Sequence, residues 1–147
     1  MINKFDGQYA FLSNFYSSPI TPWVDNITYP TVEHAFQAMK SFNPSERKMI
    51  AAAPTPGKAK SMGRHVELRP DWRAIRISIM EDALIEKFKD PQLRQKLLST
   101  GDQYLIEGNW WHDNYWGDCY CPNCEHIKGE NHLGQLLMKI REEIKNS

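Results

Sequence analysis

The sequence predicts a mostly helical α+β fold, a single domain over residues 1–147 with a small N-terminal β-sheet or hairpin. Three observations predict it. Apolar residues recur at helical spacing from Tyr29 onwards, and most helical stretches open on a capping residue with a proline beside it. The first thirty residues read instead as β and turn. A length of 147 residues suits one unstapled core, and no repeat or low-complexity run divides it.

In chain order, YAFLSNFY (9–16) is rich in aromatics and opens the β-like region. Two short runs, Pro19 to Val24 and Ile27 to Tyr29, flank Asp25-Asn26, which tolerates left-handed dihedrals and predicts a hairpin turn. Thr31, with Pro30 just outside, is a good N-cap for the helical stretch within YPTVEHAFQAMKSF (29–42). Asn43 or Ser45, beside Pro44, starts a short helix through Ala53. Thr55-Pro56 repeats the pattern, and Gly63 ends that helix. Asp71 caps the longest one, whose stripe runs Trp72, Ile75, Ile79, Ala83, Leu84 and on to Phe88. Asp90-Pro91 restarts a helix closed by Gly101, Tyr104 to Glu107 reads as a short strand, and Leu133 to Ile144 form the last helix.

Composition narrows the function. Eighteen Lys plus Arg balance eighteen Asp plus Glu, so bulk charge does not argue for nucleic acid, though a local basic groove is compatible with neutrality. No window approaches the roughly 18 apolar residues that cross a bilayer, so no membrane is expected. MINKFDGQYAFL lacks the apolar core of a signal peptide, and a cytoplasmic protein is expected. Five Trp, six Tyr and six Phe serve a well-filled core or a stacking surface for a planar ligand.

The stretch YPTVEHAFQAMKSF (29–42) carries two stripes. At 100° per residue, Val32, Ala35, Phe36 and Met39 form a core face. Glu33, Gln37 and Lys40 fall on the strip beside it. Glu33 and Lys40 are two turns apart, roughly 10 Å along a helix axis. That is too far for a direct ion pair but suits two groups reaching one small ligand. At the edge of a buried face, desolvation raises a carboxyl pKa and lowers an amine pKa, which fits a general acid and a nucleophilic amine. On spacing alone, a solvated polar edge is the simpler reading.

CYCPNCEH places Cys119, Cys121, Cys124 and His126 within eight residues. Cys121 to Cys124 has the C-x-x-C spacing of a zinc knuckle. Cys119 with His126, or with His112, completes a tetrahedral structural set; the alternative is reduced thiols in a surface loop. An odd number of cysteines so closely spaced is a poor disulfide framework.

Six motifs then occur in order: FLSNFY (11–16), YPTVEHAFQAMK (29–40), TPGKAKSMGR (55–64), LRPDW (68–72), EGNWWHDNYWGD (107–118) and GENHLGQLLMKIR (129–141). With these the chain resembles the NADAR, or YbiA-like, family over about residues 9–142. The resemblance implies the fold of that family and a hydrolase of N-glycosidic bonds. Two substrate classes go with it: phosphoribosylamino intermediates of riboflavin biosynthesis, and ADP-ribose attached to guanine bases of DNA. In both, a ribose anomeric carbon is bonded to an exocyclic nitrogen of a heterocycle.

The family's helix glutamate falls on Glu33 and its helix lysine on Lys40; its WGD-type segment falls on Trp116, Gly117 and Asp118. Catalysis is expected of Glu33, Lys40 and Asp118. Substrate binding is expected of Asn14, Phe15, Arg64, Trp72, Trp116, Gly117, Asn131 and Gly134. Trp72 and Trp116 are stacking candidates, and Trp72 alternatively belongs to the core. Arg64 and Arg69 offer guanidinium groups to phosphate, or lie on a solvated surface. Asn131 either caps the last helix or helps its N-terminus receive phosphate or a ribose hydroxyl.

Two mechanisms fit. Lys40 forms a Schiff base with an open-chain sugar while Glu33 shuttles protons, or Glu33 and Asp118 act as paired carboxylates around an oxocarbenium-like centre. No cofactor is required by either, and the zinc would be structural. A P-loop, a dinucleotide-binding GxGxxG and a GxSxG elbow are all absent from the sequence. The competing readings are a non-catalytic module that binds ADP-ribose or NAD, and a small zinc-stabilised nucleic-acid-binding protein. Oligomeric state is left open.

Overall fold

The structure, a computed structural model, describes every residue except Trp23. It is α+β with helix predominating, as the sequence predicts. Contacts group the chain into two compact units, Asn14–Asp90 and Met1–Ser13 with Pro91–Ser147.

The unit Asn14–Asp90 holds four helices: α1 (Val32–Ala38), α2 (Pro44–Ala51), α3 (Pro56–Gly63) and α4 (Trp72–Lys87). The first three start as their sequences dictate. The side chains of Thr31, Asn43 and Thr55 each accept a hydrogen bond from an N–H of the first turn, and Pro44 and Pro56 occupy positions where no N–H is needed. Asp71 holds the N-cap position of α4 but caps nothing. Arg69 takes its carboxylate instead in a fork, Nε to Oδ1 at 2.7 Å and Nη2 to Oδ2 at 3.1 Å.

Helix α1 packs against α2, α3 and α4, and every one of its residues is buried. Glu33, His34 and Gln37 are therefore interior groups and not a wet edge. His34 shows how such a group is accommodated. Its Nε2 faces the Ala53 carbonyl at 3.0 Å and so carries the proton; its Nδ1 accepts from the Thr31 hydroxyl at 2.8 Å. The same hydroxyl oxygen accepts the His34 N–H.

Among the described residues, the hairpin expected over 19–29 contracts to one antiparallel bridge, Ile20 with Tyr29. Trp23, part of that expectation, lies outside the described residues. The reason is local side-chain bonding. Asp25 accepts the Ile27 N–H at 3.0 Å and the Tyr29 hydroxyl at 2.8 Å, an Asx-type turn that competes with a strand ladder. Asn26 does adopt the left-handed backbone, with φ 58°.

The other unit holds a short 3-10 helix (Gly7–Leu12), α5 (Pro91–Ser99), β1 (Gly108–Asn109), β2 (Asp118–Cys119), a second 3-10 turn (Pro122–Cys124) and α6 (His132–Lys145). The aromatic run from Tyr9 thus starts as helix and not as strand, entered through Gly7 at φ 54°. The small sheet is β1 paired parallel with β2, Gly108 opposite Asp118 and Asn109 opposite Cys119. It lies in the second half of the sequence, not at the N-terminus. The strand expected at Tyr104 to Glu107 reduces to a parallel bridge between Ile2 and Leu105. Helix α5 packs on α6 and on the first 3-10 helix, and Leu133, Leu136, Leu137 and Ile140 of α6 are buried.

The start of α6 is capped by chain and not by a side chain. The N–H groups of Asn131, His132 and Leu133 donate to the carbonyls of Gly117, Tyr115 and Trp116 at 3.1, 3.1 and 2.9 Å. Loop 115–117 therefore satisfies donors that a helix start leaves open. No helix among the described residues is long and apolar enough to cross a membrane.

Candidate active site

Glu33 stands in the first turn of α1 with 7% of its surface exposed. Its backbone N–H donates to the Asn14 carbonyl at 3.1 Å, which ties the SNF segment to the start of the helix. Its Oε1 accepts from Gln37 Nε2 at 2.9 Å, one turn on. Gln37 is itself buried, and its other polar atom, Oε1, is among the buried atoms without a hydrogen-bond partner. Gly63 at the end of α3 makes room for it, since any Cβ there would meet the Gln37 side chain.

Lys40 does not lie in α1. The helix ends at Ala38, Met39 is its C-cap, and Lys40 sits in the following turn with its N–H on the Gln37 carbonyl at 3.2 Å. The break follows from Asn43-Pro44, which begins α2 and leaves too few residues for α1 to continue. The ammonium nevertheless feels Glu33. Burial pushes the Lys40 amine below its ordinary range, the Glu33 carboxylate opposes this, and Arg64 and Lys60 add to the lowering. Glu33, Lys40 and Arg64 thus form one electrostatic cluster, with Lys60 as a member that sequence reasoning did not single out. Its signal was present in TPGKAKSMGR, where Lys60 and Arg64 are one helical turn apart.

The remaining expected residues of this unit differ in character. Asn14 is buried, its Nδ2 3.5 Å from Met80 Sδ, and its Oδ1 lacks a hydrogen-bond partner. Phe15 is 45% exposed. Arg64 is exposed. Trp72 is 7% exposed and packs on Phe36 with ring centroids 5.0 Å apart, which fits a core residue better than a stacking platform. Arg69 is committed elsewhere. Besides Asp71, it holds the Met39 carbonyl and lies over the Phe42 ring at 4.2 Å.

One buried titratable group, Lys87, was missed at the sequence level. Lys87 is 1% exposed, lies 5.6 Å from the Tyr16 ring and 5.2 Å from the Phe88 ring, and burial pushes its amine down to about 7. It interrupts the apolar stripe of α4 only at its end, so periodicity gave no warning.

The other expected residues belong to the second unit. Trp116 is half-buried, edge-on to Tyr115 at 5.0 Å, and its backbone N–H donates to Asp113 Oδ1 at 2.9 Å. Gly117 gives its carbonyl to the start of α6. Asp118 opens β2, and its Oδ1 accepts the Gly129 N–H at 2.9 Å. Asn131 takes a left-handed φ of 52° ahead of α6 without a side-chain cap bond. Its amide instead accepts the Glu107 N–H at 3.0 Å and donates to the Leu105 carbonyl at 2.9 Å. Gly134 lets that arrangement close, since a Cβ there would meet both the Leu105 carbonyl and the Asn131 amide.

Of the expected metal ligands, Cys119, Cys121 and Cys124 come together, but His126 does not join them. Its side chain is 91% exposed beside Glu125. His112 takes the place, and the ligand atoms of these four residues all lie within 4.8 Å of one another.

The geometry defines a class: a small α+β protein with a buried carboxylate coupled to a lysine whose charge is disfavoured. Residues 2–145 match the model of the NADAR domain. The chain is 40% identical over 139 residues to N-glycosidase YbiA of Escherichia coli strain K12, covering 92% of this chain and 82% of that protein. It is 39% identical over 144 residues to N-glycosidase Npun_R5314 of Nostoc punctiforme, covering 94% and 87%. It also matches riboflavin biosynthesis protein VVA0006 of Vibrio vulnificus at 34% identity, spanning 95% of this chain and 36% of that longer protein. The NMR structure of E. coli YbiA superposes with a TM-score of 0.80 at 37% identity, covering 99% of this chain and 88% of that one. The chain belongs to the NADAR family.

Proposed function

We propose that the chain is an N-glycosidase that cleaves the bond between a ribose anomeric carbon and the exocyclic nitrogen of a heterocycle. That it is a hydrolase of N-glycosidic bonds follows from its N-glycosidase relatives, matched over most of both chains. The observation that carries the site is the coupling of Glu33 to Lys40 beside a helix buried on every side. An amine leaves poorly unless protonated, and Glu33 is the proton donor of this reading. Lys40, with its amine biased toward the neutral form, attacks the aldehyde-level carbon of the ring-opened sugar. The carbon–nitrogen bond to the heterocycle breaks as the proton reaches that nitrogen. Water then hydrolyses the Lys40 imine, which returns the sugar and the free amine. No cofactor takes part.

Asp118 is the second carboxylate of the competing mechanism. One of its oxygens accepts the Gly129 N–H, as one oxygen of Glu33 accepts from Gln37. Asn14 and Phe15, adjoining the start of α1, are the binding residues this reading favours in that unit; Trp116, Asn131 and the glycines contribute chiefly by shaping the loop. The name of the Vibrio relative favours a phosphoribosylamino heterocycle as substrate. DNA bearing ADP-ribosyl-guanine presents the same bond and is the second arm of the test.

The test is hydrolysis of both substrates by the purified protein. Glu33→Gln and Lys40→Ala should each lower turnover by about a hundredfold or more. Borohydride added during turnover should leave a sugar adduct on Lys40 of the unaltered protein. Turnover without any adduct would remove the Schiff base and restore the paired carboxylates. Binding of free ADP-ribose with neither substrate cut would replace the enzyme by a binding module.

A further inference from the structure

Three thiols and an imidazole gather in the segment from β1 to α6, and the proposed hydrolysis uses none of them. His112 Nδ1 lies 3.3 Å from Cys121 Sγ and 3.3 Å from Cys124 Sγ. The His112 backbone N–H points at Cys119 Sγ, also at 3.3 Å. All three cysteines are buried and free of disulfides. Ligands of a tetrahedral zinc, bound at about 2.0–2.3 Å, lie about 3.5–3.8 Å from one another. The four ligand atoms here, within 4.8 Å, enclose a space of that size.

Buried cysteines often act only as small apolar side chains. Two features argue for more at this place. His112 holds a left-handed backbone with φ 70°, unusual for a residue with a side chain, and that conformation delivers its ring nitrogen to two sulfurs. The turn that carries it is pinned independently. Asn109, 1% exposed, accepts the N–H groups of Trp111 and Asp113 at 3.3 and 3.1 Å and donates to the Asp113 carbonyl at 2.8 Å. Asn114 in turn accepts the Cys119 N–H at 2.9 Å. Such hydrogen bonds orient ligands before an ion arrives.

We infer that His112, Cys119, Cys121 and Cys124 bind one zinc ion. Four protein ligands leave no open position for water, so the site is structural and not catalytic. It staples residues 112–124 and thereby steadies loop 115–117, whose carbonyls receive the first N–H groups of α6.

The experiment is metal analysis of the full chain, purified reduced and untagged without chelator. About one zinc per chain is expected. His112→Ala and Cys121→Ser should each retain less than about a tenth of it, and His126→Ala should retain all of it. Because a ligand variant can fail to fold, the unaltered protein is also stripped and titrated with cobalt(II). A sulfur-to-cobalt charge-transfer band that saturates near one equivalent and is bleached by zinc supports the site. Negligible zinc together with no such band overturns it. Loss of zinc in His126→Ala but not in His112→Ala overturns the ligand assignment.

Discussion

Lys40 and Lys87 are both amines whose charge the protein disfavours, and they answer differently to pH. For Lys40 burial lowers the pKa most, and among the nearby cations Arg64 adds to the lowering. Arg64→Gln removes that repulsion and lets the Lys40 pKa rise. If Lys40 is the nucleophile, the rising limb of the pH–rate profile should move to higher pH in this variant, a shift read from turnover across a pH series. Lys87 is a matter of stability. Its folded-state pKa of about 7 lies below the ordinary lysine value of 10.5. Between these values the unfolded chain holds the extra proton, so stability should climb with pH. Below about pH 7 both states are charged and the cost of burial is full. Urea denaturation of the unaltered protein and of Lys87→Met should show the former gaining on the latter as pH rises; a constant difference would mean that Lys87 keeps its proton inside. The lowering at Lys40 was expected from its place at the edge of a buried face; that at Lys87 was not legible in the sequence, where a lysine at the end of an apolar stripe looks like an ordinary solvated cap.

Among the elements, α1 and α6 were both foreseen as amphipathic helices, and the two departures from that picture have separate causes. Around α1 three helices close, so its polar strip became interior; periodicity reports which residues share a face, not how many neighbours cover it. The helix also stops before Lys40, because Pro44 and its cap require a turn. In α6 the apolar stripe is as expected, but Asn131 does not cap it. Instead the motifs EGN, NYWGD and GENHLG lock one another: Asn131 bridges Glu107 and Leu105, while 115–117 receive the helix start. Motif order made these residues visible as a set, but their mutual bonding needed coordinates. Gly134→Ala should therefore act through packing. A methyl against the Leu105 carbonyl and the Asn131 amide should cost about 1–3 kcal/mol, measured as a lowered denaturation midpoint, with catalysis by the folded fraction little changed.

For the molecule as a whole, the α+β class and the helices α1 to α6 were readable, α1, α2, α3 and α5 because caps or prolines punctuate them and α4 and α6 because their apolar stripes are long. The β content was not. Two-residue strands and single bridges carry no alternation to detect, and side-chain bonds of Asp25 displaced the expected hairpin. Glu33 and Lys40 were legible as a pair, whereas the choice of His112 over His126 was not, since it depends on a left-handed residue seven positions before Cys119. The chain order of the two units also bears on synthesis. Every residue of Asn14–Asp90 has been made by the time Asp90 leaves the ribosome, so that unit, with Glu33 and Lys40 inside it, can close early. Met1–Ser13 emerge before that unit yet cluster with Pro91–Ser147, which emerges after it. Phe11 and Leu12, buried in the finished protein, lie in the 3-10 helix that packs on α5, so that part of their cover arrives late in translation, and chaperone contact during synthesis should concentrate there.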